Sequence, residues 1–217
     1  MKAKIAVATV SGKMYYLIID ELKRRKIPFI SITPGEPVPV EIKVVLTTEE
    51  EKPLIDHEHI LVYQEGAEPE MLVHQTLQTV QGKEYYEKIV VGIDPGEVSG
   101  WAVLADGKIL ETGNCFNVEE TSERIADILL KTGKNPVTVF SVRVGDGAPA
   151  YREKLLLMLD SILPSNVTLE SVGEAGTDSY LRGNKHRRGL RDIVSAIKIA
   201  GRNGQAFPRR KKNESNS

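Results

Sequence analysis

Residues Lys4 to Thr9 (Lys-Ile-Ala-Val-Ala-Thr) make a short apolar run of the kind that predicts a buried strand. From Met14 to Arg25, apolar residues recur at Met14, Leu17, Ile18 and Leu22, the spacing of one helical face. Ile27-Pro28 ends that helix, and Phe29-Ile30-Ser31-Ile32 is a second strand. Pro34-Gly35-Glu36-Pro37 reads as a loop. Glu41 to Leu46 and His59 to Tyr63 predict further strands, and Pro69 to Gln81 predicts a helix. This half is a small α/β unit with a βαβ-like start, a minimal doubly wound layer.

The pattern resets over Gly82 to Glu87 (Gly-Lys-Glu-Tyr-Tyr-Glu), where a domain boundary belongs. Beyond it, strands are expected at Lys88 to Asp94, Ser99 to Ala105 and Lys108 to Phe116, the last two joined by the hairpin signal Asp106-Gly107. Glu119 to Lys131 is a helix with Ile125, Ile128 and Leu129 on one face. Val137 to Val144 is a strand, Pro149 to Leu163 a helix, Val167 to Val172 a strand and Leu190 to Arg202 a final helix. The order βββαβαβα describes a mixed sheet with helices on its faces. The expected organisation is therefore an α/β domain at 1–84, a second at 85–204, and a basic tail of disordered composition at 205–217.

Composition adds little to that division but removes several function classes. With 41% hydrophobic and 27% charged residues the chain is that of an ordinary globular protein. The N-terminus carries no signal-peptide pattern, and no apolar segment approaches the roughly 18 residues of a membrane span, so a cytoplasmic, non-membrane protein is expected. The single cysteine, Cys115, excludes an intrachain disulfide, fits a reducing compartment and reads as a buried structural thiol. His57, His59, His74 and His186 show no metal-ligand spacing, and there is no serine elbow and no Cys/His pairing. The turn Thr9-Val10-Ser11-Gly12-Lys13 lacks phosphate-loop spacing and reads as a plain structural turn.

The net charge of -1 hides an asymmetry. Acidic residues gather at Glu49-Glu50-Glu51 and at Glu65, Glu68 and Glu70. Basic ones gather at Arg182, Lys185, His186, Arg187, Arg188 and Arg191, then at Arg202 and Arg209-Arg210-Lys211-Lys212. Either a solvated helix face with a tail or a polyanion partner accounts for that split.

Candidate chemistry centres on Asp94. Val90-Val91-Gly92-Ile93-Asp94-Pro95-Gly96 ends a buried strand on a carboxylate, Pro95-Gly96 turns the chain tightly, and Ser99-Gly100-Trp101-Ala102 begins the next strand. A carboxylate so placed costs several kcal/mol unless paired or bound to metal. These residues, in this strand order, resemble the RuvC family within the ribonuclease-H-like fold, over roughly Lys88 to Gly204. The resemblance implies a Mg²⁺- or Mn²⁺-dependent nuclease, with Asp94 and Asp192 of the last helix as metal ligands. Asp146 or Glu174 would complete the site, and Asp178 is a further acid in that region. Two such ions clamped by three or four carboxylates are what phosphodiester hydrolysis requires.

One departure weakens the catalytic implication: Arg143 stands where the resemblance expects an acid. An arginine there would repel metals, neutralise Asp94 or bind a phosphate. Glu170 is expected to face solvent or a partner. Two hypotheses follow. One is a structure-specific nuclease. The other is a catalytically inactive module that contacts nucleic acid, DNA or RNA, through Arg143, Arg182, Lys185, Arg187, Arg188 and Arg191. Trp101 reads as core, and Tyr180 as partly buried, rather than as stacking platforms. An actin-like ATPase fits worse, since it needs two matching domains and glycine-rich phosphate loops. The N-terminal domain is left without a family, with homodimerisation or recruitment of a partner as its expected roles.

Overall fold

The structure is a computed structural model and describes residues 3–132, 137–173 and 188–209. The chain divides into two compact units, Met1–Tyr85 and Tyr86–Ser217. Both are α/β, and among the described residues no helix is long and apolar enough to cross a membrane.

The first unit runs β1 (Ile5–Ala8), α1 (Gly12–Arg24), β2 (Ile30–Ile32), β3 (Val44–Thr47), a 3₁₀ turn (Lys52–Leu54), β4 (Ile60–Val62) and α2 (Pro69–Val80). Its four strands are parallel, in the order β2-β1-β3-β4. Alternation along β1 decides what covers each face. Ile5 and Val7 join Ile18 and Leu22 of α1 and Leu72 and Val73 of α2 in one core. Ala6 and Ala8 turn the other way and meet Ile42, Val38 and Ile55 of the connecting segments. Both helices thus lie on one face and connecting chain covers the other, which is why β1 is apolar throughout.

The second unit runs β5 (Lys88–Asp94), β6 (Ser99–Ala105), β7 (Lys108–Cys115), α3 (Val118–Thr132), β8 (Val139–Gly145), α4 (Pro149–Ile162), β9 (Thr168–Val172), α5 (Arg188–Gly201) and β10 (Gln205–Ala206). The sheet order is β10-β9-β8-β5-β6-β7. β5, β6 and β7 form an antiparallel meander, while β8 and β9 run parallel to β5. At the hairpin, Asp106 and Gly107 have φ of 48° and 78°, the positive pair that a two-residue type I′ turn demands.

Glycines set how closely α5 approaches this sheet. A Cβ on Gly92 would fall on the backbone of Ala196 and Ala200, and one on Gly100 would fall on the backbone of Asp192. Ala196 and Ala200 complete the contact with Val90, Ala102 and Leu104. Trp101, between Gly100 and Ala102, points to the opposite face, where Arg124 of α3 lies 5.1 Å from its ring centre. So α5 covers one face and α3 the other.

For residues 205–209 the expected disordered tail is corrected by the structure, and residues 210–217 lie outside the described residues. Gln205 and Ala206 pair antiparallel with Ser171 and Glu170, and Phe207 donates its N–H to the Leu169 carbonyl at 2.8 Å. Arg209 then inserts a largely buried guanidinium that donates to the Asp160 carboxylate (2.6 Å) and to the carbonyls of Leu163 (2.6 Å) and Val167 (2.8 Å). The physical reason is that a short run with no apolar periodicity reads as tail until a sheet edge offers it backbone partners.

Candidate functional site

The sheet edge where β5 ends holds the residues to which the sequence points. Strand alternation puts Asp94, like Gly92, on the face covered by α5. Asp94 pairs with Gly100 across β5 and β6, and Gly100 pairs with Asn114 across β6 and β7. The backbone of Asp192 rests on Gly100, and Gly189 at the start of α5 rests against the Asn114 amide. Asp94, Asn114 and Asp192 therefore surround one glycine that leaves room for the helix. Asp94 and Asp192 are half-buried, and each residue has an interaction partner. Asn114 was not singled out from the sequence. Its Oδ1 is buried without a hydrogen-bond partner, the kind of orphan acceptor that is rare in folded proteins.

The other expected site residues lie elsewhere or differently. Asp146 is exposed just past the end of β8, with its carboxylate beside Gly173 at the end of β9. Arg191 is half-buried on α5, and Arg188 opens that helix. Glu174, Asp178, Arg182, Lys185 and Arg187 lie outside the described residues. Among the described residues, no group of three or more His, Cys, Asp or Glu side chains could hold a metal ion.

Arg143 is not a surface contact for nucleic acid, which corrects that expectation. It pairs with Gly92 of β5 on one side and Glu170 of β9 on the other. Its guanidinium is buried, with Nε donating to Glu170 at 2.7 Å and Nη1 to the Ala200 carbonyl at 2.7 Å. The side chain ties the sheet to the last turn of α5, where a cation also complements the helix dipole. Glu170, expected to face solvent or a partner, is its counter-ion.

Buried Cys115 carries a thiol pushed above its ordinary pKa by burial first and then by the nearby Glu120 charge, which favours the unreactive form. Trp101 is core, as the sequence suggested.

In the first unit, the connections from the carboxyl ends of β1 and β3 leave to opposite sides, β1 to β2 and β3 to β4, the switch point at which open α/β sheets form a crevice. The chain's own Glu51 lies there. Its carboxylate accepts from the Val10 N–H (2.7 Å) and from the Thr48 hydroxyl (2.8 Å). Burial pushes the Glu51 pKa up, but hydrogen bonds from Thr9, Val10 and Thr48 outweigh it and hold the group below its ordinary value. Thr47 donates to the Ala8 carbonyl at 2.7 Å, stitching the two strands together just before the crevice. From sequence, Glu51 was only one of an acidic run.

Residues 4–80 match the family model of a response regulator receiver-like domain. Comparison with curated proteins finds no match. That match falls on the N-terminal unit, and the expectation of a RuvC-kind, magnesium-dependent nuclease is corrected. Its central motif has a local explanation. After Asp94, the turn is held by Ser99, whose hydroxyl lies 3.4 Å from both the N–H and the carbonyl of Gly96. An Ile-Asp-Pro-Gly run serves such a strand-to-turn exit in many settings.

Proposed function

We propose that this chain is a non-catalytic binding protein whose second unit contacts a nucleic acid through the basic residues leading into α5: Arg182, Lys185, Arg187, Arg188 and Arg191. The observation that carries the reading is Arg143. Beside Gly92, at the centre of the sheet, the chain commits a cation to an internal pair with Glu170 and to the end of α5. That arrangement supports a helix locked onto the sheet rather than a cluster of acids. The density of Arg and Lys between residues 182 and 191 supports the choice of partner. As part of the same proposal, the second sheet is taken as ribonuclease-H-like in strand order alone, supported by the β5–β6–β7 meander followed by parallel β8 and β9. No kinship with the RuvC family is implied.

The test is fluorescence anisotropy with labelled single-stranded, duplex and branched DNA and RNA. Binding should fall steeply with salt, persist in Asp94→Asn, and weaken on joint replacement of Arg187 and Arg188 by Ala. Absence of binding at low salt sinks the proposal. So does Mg²⁺-dependent cleavage that disappears in Asp94→Asn.

A further inference from the structure

A concavity in the second unit lies away from Asp192 and α5. It opens between the first turns of α3 and α4 and the β5–β6 turn, with a volume near 390 Å³. That is within the range of pockets that take a small ligand or one large side chain. Val118 and Ala150 give it an apolar lining. Phe116 and Tyr151 also line it, and both are exposed, Phe116 at 71%. A phenylalanine so exposed is not held there by burial of its ring. Its backbone is fixed instead by a helix cap, since the Phe116 N–H donates to Glu120 and Asn117 accepts from the Glu120 N–H, each at 2.7 Å.

The charges at the pocket are unequal. Lys154 bonds to Glu119 at 2.6 Å across the gap between α3 and α4, and its ammonium holds Glu119 below the ordinary carboxylate pKa. Glu97, in the β5–β6 turn, is exposed and contributes a second carboxylate, with no second cation among the described residues of the lining to match it. The positive end of α3 is already offset by its cap and by Glu119 and Glu120 in its first turn. Aromatic faces beside an unmatched carboxylate suit a cation carried on an apolar stem.

We propose that the cavity between α3 and α4 docks a basic side chain, an arginine presented by a peptide partner, with Phe116 and Tyr151 flanking the guanidinium and Glu97 as its counter-ion. Charge complementarity selects this occupant. A nucleotide would bring phosphates toward Glu97 and Glu119. The site is independent of the nucleic-acid reading, because it uses none of the residues between 182 and 191.

The experiment follows the amide resonances of Val118, Ala150 and Tyr151 in the isotopically labelled full chain. The probe is a capped Gly-Arg-Gly peptide, compared with its citrulline counterpart, with inorganic phosphate and with adenosine monophosphate. Saturable shifts at these amides with the arginine peptide alone support the proposal. Glu97→Gln and Phe116→Ala should each weaken binding by about two- to fivefold, as an exposed ion pair or cation–π contact implies. Both residues are exposed, so both variants should stay folded. Equal binding of the citrulline peptide overturns the proposal. So do shifts caused by phosphate or the nucleotide but not by arginine, and so does silence with every probe.

Discussion

Replacing Arg143 by Met should destabilise the second unit by about 3 kcal/mol, which follows from what the guanidinium leaves behind. The Ala200 carbonyl loses a charge-assisted donor, a loss of about 1.5–3 kcal/mol for such a bond. Glu170 keeps its charge in a site where its side chain is only 17% exposed. Breaking one side of a buried pair costs roughly 3–5 kcal/mol, and partial water access to Glu170 places this case at the lower end. Met fills most of the aliphatic volume, so no cavity is added. For a unit of about 130 residues the loss corresponds to a fall of roughly 10 °C in Tm. The assay is urea unfolding followed by tryptophan fluorescence. The protein has one tryptophan, Trp101, in β6, so the signal reports the second unit alone. Removing the stranded charge as well, in Arg143→Met/Glu170→Leu, should recover about 1–2 kcal/mol, since an apolar pair in place of a buried ion pair is often near neutral. A single-variant loss under about 1 kcal/mol, the scale of an exposed pair, would refute the reasoning. A double variant no more stable than Arg143→Met would do the same.

Two further outcomes follow. Gly100→Ala should cost about 1–3 kcal/mol by overpacking, because its methyl falls on the Asp192 backbone, whereas Gly201→Ala meets nothing within 4 Å and should be neutral; equal effects in urea melts would count against close seating of α5. Glu51, with its pKa lowered in the fold, contributes stability above its ordinary carboxylate pKa that is lost as pH falls through that value toward the folded one, so wild type should exceed Glu51→Gln at pH 7 and converge with it in acid; a difference in hydrogen-exchange protection of the Val10 amide that stays constant from neutral to acid pH excludes this account.

Much of the element order was legible in the sequence because it rests on local signals. Apolar spacing marked α1, α2, α4 and α5 to within a few residues, and Asp106-Gly107 located the β6–β7 hairpin. The two sheets share a class that alternation and proline punctuation convey. What stayed hidden depends on residues distant along the chain. Arg143 finds Glu170 across 27 positions and Ala200 across 57, so its type suggested a surface contact while its register made it core. Asn114 sits in an ordinary polar stretch of β7, and only the pairing through Gly100 brings it beside Asp94. Glu51 carries no motif, since its role comes from a bend that returns it 41 residues to Val10. β10 has two residues and no periodicity to read. The likeness of residues 4–80 to a receiver-like domain was missed for a related reason: the short parallel strands there carry burial patterns but few residues that chemistry alone would single out.

The strap formed by β10 and Arg209 has a consequence for how the molecule is made. β9 cannot gain its outer neighbour, nor the end of α4 its guanidinium, until residues 205–209 have been synthesised. Likewise β5 and β6 wait for α5, which follows them by roughly a hundred residues, so contacts of large sequence separation close last and folding should be correspondingly slow. On the ribosome the second unit stays incomplete until Arg209 has emerged. A stop codon placed before Gln205 would therefore yield a protein with an open sheet edge, prone to pair with its own kind.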